Sequence, residues 1–329
     1  MAKAALSVII DVYEMEMDIP AFLRTVSSMM KESGEEIEYL IIDKGSGDHT
    51  VWEALKALKE LGLNGKLLQN GEVPGGCALN TGIYRASGLY LVFIRPSEFY
   101  RAPFAKWLEE AQKFGAEIFY GLPAGQVKEL ESGLMEKQPV PQEGCQVMAD
   151  ILSKGGELPI GCVLFHKDFL IKNRLTFSED YSCGYQEAFL YQCLLYVRER
   201  IYFGGYDCRR EPLYQNLGDS RIKEFACFER VDALAEIRDM MKNCGAGNKK
   251  LVELMEHQRL PSAVLECVET LLKSGRGYNA ISRYVQKHGY YQLLKSGHST
   301  GSSLRKKIFV WKKLPWMYQP SGTKKGETK

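Results

Sequence analysis

Four short apolar runs, each followed by a helix-periodic or turn-rich stretch, occupy the first hundred residues and most constrain how this chain can fold. Leu6 to Tyr13 is β-branched and almost continuously apolar, the pattern of a strand covered on both faces. Ile37 to Asp43, Lys66 to Gln69 and Leu89 to Ile94 follow as further strands. Between them, Asp18 and Pro20 mark a helix start, with Phe22, Val26, Met29 and Met30 as its apolar face. Thr50-x-x-Glu53 has capping-box spacing, and Val51, Leu55, Leu58 and Leu61 predict the buried stripe of a second helix ended by Gly62. Pro74-Gly75-Gly76 opens a third, small-residue helix closed by Gly88. Strands separated by helices of this length require crossover connections, hence an α/β fold with a mostly parallel sheet. Such sheets bind ligands outside the carboxyl ends of their strands. The segment Phe93-Ile94-Arg95-Pro96-Ser97-Glu98 lies at one of those ends.

Beyond residue 101 the alternation loosens. A helix over Pro103 to Lys113, a strand over Ile118 to Leu122 and a Gly/Pro/Gln-rich excursion from Gly133 to Gly144 are expected. Ile160 to Phe165 reads as a strand, Asp168 opens a helix, and an amphipathic helix spans Gln186 to Arg198. Tyr202-Phe203 and Pro212-Leu213-Tyr214 read as further strands. From Glu224 to Leu294 the pattern is helical, with stripes at Val231, Leu234, Ile237 and Met241 and at Val264, Val268, Leu271 and Leu272. The stretch after Ser296 reads as a linker. The divisions expected are 1–100 and 101–222 as two halves of one α/β domain, 223–298 as a helical appendage, and 299–329 as a basic aromatic tail.

Charge sharpens this division. The chain carries only +2 overall, yet Arg305 to Lys329 holds eight cations and one acid, leaving the remainder acidic. Nothing in that balance argues for nucleic acid. Lys306 to Tyr318 mixes lysines with Phe309, Trp311, Trp316 and Tyr318, the composition of an interfacial membrane segment, or of a packed helix with solvated lysines. Nine cysteines without a C-x-x-C pair, and a first strand beginning at once after Met1–Ala5, point to reduced thiols and a cytoplasmic location. Cys162 and His166 read as core residues rather than metal ligands, and no run is long enough to span a bilayer.

Taken in order, several segments resemble family 2 glycosyltransferases of the GT-A fold, the bacterial polysaccharide type. Ser7-Val8-Ile9-Ile10-Asp11-Val12-Tyr13-Glu14 is similar to S-V-I-I-P-V-Y-N, and Ile42-Asp43-Lys44-Gly45-Ser46-Gly47-Asp48 to V-D-D-G-S-T-D. Ala78-Leu79-Asn80-Thr81-Gly82 with Ala86-Ser87-Gly88 is similar to A-R-N-x-G and A-x-G. Leu91 to Glu98 falls where the family writes a strand ending in L-D-x-D-D. Weaker likeness continues through Phe165 to Phe177 and Glu211-Pro212-Leu213-Tyr214. The resemblance implies a nucleotide-diphosphate sugar as donor, UDP-linked by family analogy. It implies a glycan or lipid-linked acceptor in surface polysaccharide synthesis, at the inner face of a membrane. It further implies donor contacts from Asp11, Tyr13, Asp43, Asn80, Arg95 and Glu98.

The family meets the charge of the departing diphosphate with a divalent metal, Mg²⁺ or Mn²⁺, on its D-x-D carboxylates. Here Arg95 and Ser97 hold those positions and only Glu98 keeps an acid. Leu79 replaces the motif arginine and Lys44 the second acid of D-D-G-S. The family's E-D-x-x-F falls on Tyr185-Gln186-Glu187-Ala188-Phe189, which displaces the general base by one position to Glu187, with Glu179 and Asp180 as nearby alternatives. Arg95 could meet the diphosphate directly, without metal. Two readings therefore stay open. One is an active glycosyltransferase; the other is a silent relative that binds a nucleotide sugar, a second copy of itself or a partner glycosyltransferase. A dehydrogenase is disfavoured, because Glu14-Met15-Glu16 follows the first strand where G-x-G-x-x-G would stand.

Overall fold

The structure is a computed structural model that describes residues 4–123, 139–154, 156–211, 223–243, 249–314 and 317–318. The chain divides into two compact units, one of Met1–Val147 with Glu157–Arg221, the other of Met148–Gly156 with Ile222–Lys329. In the first unit the strands are β1 (Leu6–Val12), β2 (Ile37–Asp43), β3 (Gly65–Gln69), β4 (Tyr90–Ile94), β5 (Tyr100–Arg101), β6 (Ile118–Pro123), β7 (Pro141–Gln142), β8 (Val163–His166) and β9 (Ile201–Arg210). They form one sheet in the order β3-β2-β1-β4-β8-β6-β9-β5, with β7 added on β9. β3, β2, β1 and β4 are mutually parallel, as expected; β8 enters antiparallel to both neighbours, and β6 pairs parallel with β9. The fold is thus α/β with a mostly parallel sheet flanked by helices.

The helices are α1 (Ile19–Met30), α2 (Thr50–Glu60), α3 (Gly75–Arg85), α4 (Phe104–Phe114), α5 (Gly144–Lys154), α6 (Lys167–Lys172) and α7 (Tyr185–Tyr196). Local signals placed α1 to α4, α6 and α7, missed α5, and misjudged some details. Asp18 precedes α1, yet its side chain makes no capping bond, and Met29 lies only half-buried beside the fully covered Phe22, Val26 and Met30. The capping box is not made either. His49 is the N-cap of α2, and Thr50 Oγ1 instead accepts the Met15 N–H at 2.6 Å, tying the loop after β1 to the loop after β2. The buried face of α2 also differs from the expected stripe. Thr50, Ala54, Ala57 and Leu58 are buried, while Leu55 is 47% exposed. Ile160–Cys162 is a 3-10 turn, so the expected strand there begins only at Val163.

The amino ends of the central strands are locked by a buried carboxylate. Glu38 accepts from Ser7 Oγ at 2.5 Å, from the Ser87 N–H at 2.7 Å and from Lys66 Nζ at 2.9 Å. Gly88 donates its N–H to Ser7 Oγ, and a Cβ on Gly88 would stand 2.5 Å from the Ser7 nitrogen. The A-S-G segment is therefore a packing device where the helix chain re-enters the sheet, not part of a ligand site.

The second unit carries α8 (Glu229–Asn243), α9 (Lys249–Leu254), α10 (Leu260–Lys273), α11 (Tyr278–Lys287) and α12 (Ser302–Lys313). Val231, Leu234, Ile237 and Met241 are buried, as are Val264, Val268 and Leu271. Leu272 is half-buried. Between α9 and α10, Met255–Arg259 widens into a π turn, with Pro261 next but one. Proline has no N–H to offer the carbonyl four residues back, here that of His257. Thr300 Oγ1 fills the gap, donating to the His257 carbonyl oxygen at 2.6 Å, and Thr300 is 5% exposed. The stretch after Ser296 is therefore a packed turn rather than a linker, and α12 starts at Ser302. The expected strand at Pro212–Tyr214, residues 133–138 of the expected excursion, and the lysines beyond Tyr318 lie outside the described residues; the rest of that excursion forms β7 and the start of α5.

Candidate active site at the carboxyl edge of the sheet

Register builds the site. Ile10 pairs with Ile94, so one more step sets Arg95 beside Asp11, and Val12 pairs with Asp43, so one more step sets Lys44 beside Tyr13, two residues on from Asp11 and on the same face of the sheet. Asp11 is 3% exposed and Lys44 6% exposed, and Lys44 Nζ lies 3.1 Å from Asp11 Oδ2. Arg95 Nε stands 3.7 Å from Asp11 Oδ1, which is buried without a hydrogen-bond partner. Burial works against the Asp11 charge, but Lys44 and then Arg95 outweigh it and hold the carboxyl below its usual range.

Arg95 leaves β4 in extended conformation and is followed by a single 3-10 turn, Pro96–Glu98, that folds Glu98 Oε2 back to 3.9 Å from its NH1. The guanidinium is 5.8 Å from the centre of the Tyr185 ring. With its amide oxygen facing the guanidinium, Gln186 accepts from Arg95 Nε at 3.1 Å, from NH1 at 2.7 Å and from the Tyr185 hydroxyl at 2.8 Å. Burial opposes the Arg95 charge, yet Tyr185, Asp11 and Glu98 more than offset it and raise its pKa further.

An aromatic core delivers α7 to this place. Phe189 stacks on Phe177 with centroids 3.9 Å apart, and Phe93 of β4 meets Phe165, Phe177 and Phe189 edge-on. Contrary to the amphipathic helix expected, α7 is buried on most sides, including Tyr185, Ala188, Phe189, Leu190, Tyr191, Cys193 and Leu194.

The structure thus gathers Asp11, Arg95 and Glu98 from the expected donor set. Tyr13 follows β1 half-buried at the same edge. Asp43, 1% exposed, spends its carboxylate on its own turn, accepting from the Gly45 and Ser46 N–H groups and from Ser46 Oγ at 2.6 Å. Gly45, at φ +84°, is the residue that lets this turn close. Asn80 is committed elsewhere too. Its Nδ2 donates to the Phe177 carbonyl and to Glu179 Oε1, both at 2.9 Å, and its Oδ1 accepts the Phe177 N–H at 2.8 Å. It clamps α3 to the segment before α7. Asn80→Ala, which strands a buried N–H and carbonyl, is expected to cost about 2 kcal/mol. Urea unfolding would show it, with faster amide exchange at Phe177; unchanged exchange would refute the clamp. Glu187 is half-buried in the first turn of α7, directly after Gln186.

Reading motifs one at a time missed Lys44, Tyr185 and Gln186 as site residues, although each was visible as a departure from the family pattern. The signal lay in their pairing. An acid appears at position 11 where a cation appears at 44, and the acids expected at 185 and 186 give way to neutral groups where a cation appears at 95. The set does not fit a divalent metal. The D-x-D positions present a guanidinium and a hydroxyl, and among the described residues no three His, Cys, Asp or Glu side chains come together as a metal-holding group.

A family model for glycosyl transferase family 2 matches residues 7–94, the segment from β1 to the end of β4. No curated protein sequence matches the chain. Among solved structures, TarS 1–349 from S. aureus in complex with UDP is 14% identical, covers 94% of this chain and 87% of that one, and superposes with a TM-score of 0.58. The same protein in complex with UDP-GlcNAc is 14% identical with a TM-score of 0.56, over 88% of this chain and 79% of that one. The mannosyltransferase PcManGT from Pyrobaculum calidifontis, in complex with GDP-Man and Mn²⁺, is 13% identical with a TM-score of 0.54, over 94% and 84%. At such identities likeness speaks for architecture alone, and on that ground the chain has the GT-A fold, with its family 2 match confined to the four parallel strands that carry Asp11, Lys44 and Arg95.

Proposed function

We propose that this protein is a family 2-type glycosyltransferase. It takes a nucleotide-diphosphate sugar, UDP-linked, at the carboxyl ends of β1, β2 and β4, and passes the sugar to a glycan or lipid-linked acceptor in surface polysaccharide synthesis. The observation that carries this reading is the coincidence of the family match at 7–94 with the strands whose ends converge on the Asp11–Lys44–Arg95 cluster. Structures of like fold hold UDP, UDP-GlcNAc and GDP-Man, which supports a nucleotide-sugar donor. In the reaction, the acceptor hydroxyl attacks the anomeric carbon, a carboxylate takes its proton, and the bond to the diphosphate breaks. Glu187 is assigned the base. Incubating the protein with a panel of UDP-sugars and following release of UDP tests the reading: slow donor hydrolysis or transfer supports it, and no turnover of any donor counts against it.

A second reading rests on a specific observation. Gln186 stands where the family places its base and is occupied with Arg95. A member that binds a nucleotide sugar without transferring it would show donor affinity and no turnover.

Acceptor delivery from a membrane surface is also proposed, through 305–318. Among the described residues no helix is long and apolar enough to cross a membrane. On α12, Ile308 and Trp311 are buried, whereas Phe309 is 58% exposed and Met317 beyond it 59% exposed. Lys312 sits 4.7 Å from the Tyr291 ring, and Lys313 and Lys295 crowd it electrostatically. Binding to vesicles containing about one third anionic lipid is expected, weakened several-fold by Phe309→Glu. Failure of the unaltered chain to sediment with such vesicles would remove the membrane contact.

A further inference from the structure

Resting on the donor site proposed above, we infer that the diphosphate is met by the Arg95 guanidinium itself and that donor binding needs no divalent metal. Arg95 is held on one side by a neutral partner. Its Nε and NH1 are engaged by Gln186, a neutral amide that orients the guanidinium without cancelling its charge. Asp11, the nearest full anion, lies beyond hydrogen-bond distance at 3.7 Å and already has Lys44 at 3.1 Å. Glu98, at 3.9 Å from NH1, is more exposed and correspondingly more screened. These contacts run through Nε and NH1, on one side of the guanidinium plane's fork.

What remains is a fixed, permanently charged fork. Its side chain is 20% exposed, at the carboxyl end of β4, on the edge where this fold class takes its ligands. A guanidinium matches two phosphate oxygens at once and cannot lose its proton near neutrality. A Mg²⁺ or Mn²⁺ ion at the D-x-D position would have to sit against this cation, and Coulomb repulsion works against it. Arg95 thus supplies the positive charge that the family draws from a metal. The rest of the cluster (Asp11, Lys44, Tyr185, Gln186) holds that charge in place.

The test is calorimetric titration with uridine, UDP and inorganic pyrophosphate, in EDTA and then with Mn²⁺ or Mg²⁺. UDP and pyrophosphate are expected to bind in EDTA, with less than about twofold change on adding metal. Arg95→Ala should weaken UDP about 10- to 100-fold and leave uridine nearly unchanged, the loss typical of hydrogen bonds to a charged group. Arg95→Lys keeps the charge without the fork and should fall between. Because Arg95→Ala also disturbs a buried cluster, Gln186→Glu provides a second variant. It keeps the cluster's packing but neutralises the guanidinium, and should weaken UDP and pyrophosphate similarly. UDP binding that appears only with metal would overturn the inference and leave the donor reading standing. So would equal losses for uridine and UDP in Arg95→Ala. No binding of uridine, UDP or pyrophosphate by the folded protein would overturn both.

Discussion

Asp11→Asn is expected to remove about 3–5 kcal/mol from the unfolding free energy of the α/β unit, the cost of removing one partner of a buried ion pair. At an effective dielectric near 20, a pair 3.1 Å apart attracts by roughly 5 kcal/mol, about what it costs to take the ions out of water. The intact pair is therefore close to neutral for stability, and breaking it is what costs. Lys44, 6% exposed, would lose the Asp11 carboxylate 3.1 Å away, and Arg95 would lose its nearest buried carboxylate. Urea unfolding of the two proteins side by side measures the difference. The double variant Asp11→Leu with Lys44→Met, which removes both charges, should recover at least half of the loss. A single variant as stable as the parent would show that the pair is not held in the buried state.

The same carboxylate sets a pH dependence. Its pKa in the fold lies below the ordinary 3.8, because Lys44 and Arg95 together outweigh the opposing effect of burial. The ionised form is thus favoured by folding. Its contribution is complete above the unfolded value, and is lost as the pH falls through the lower, folded value. The parent should consequently lose more stability than Asp11→Asn between about pH 5 and the acid limit. If the two curves ran parallel over that range, the folded pKa would not be depressed.

Glu187→Gln is expected to lower the transfer rate about 10²- to 10⁴-fold with donor affinity unchanged, the range for losing a positioned general base. The assignment has a geometric demand. One residue along a helix turns the side chain by about 100°, so Glu187 leaves α7 in a different direction from Gln186, which faces Arg95. The acceptor must accordingly approach from the Glu187 side of the helix. A pH–rate profile separates a base from a structural acid: the parent should lose its acidic limb in the variant, and a helix defect would leave that limb in place. A full transfer rate in Glu187→Gln would pass the role to Glu179 or Asp180. Glu179 already accepts from Asn80, which gives it less freedom.

The architecture was legible in the chain because it follows from local chemistry. Apolar β-branched runs such as Leu6–Val12 and Ile37–Asp43 must be strands buried on both faces, and the helices between them leave few topologies other than a mostly parallel sheet. The expectation that ligands meet the carboxyl edge also followed from topology rather than from any one side chain. The placement of antiparallel β8 between β4 and β6 did not follow, because a four-residue strand carries no mark of its direction. Nor did the roles of Asp43 and Asn80. The same carboxylate or amide can meet a ligand or close a turn, and only the partners brought within 3 Å decide which: Ser46 for Asp43, Phe177 for Asn80. The cluster around Arg95 lies furthest from sequence. Asp11, Lys44, Arg95 and Gln186 come from four separate elements; Asp11 alone looked like a donor contact, and the other three like lost motif residues. Sheet register and the Phe93–Phe177–Phe189 core turned those four residues into one buried charge network, because hydrogen bonds and ion pairs act over a few ångströms of space, whatever their separation along the chain.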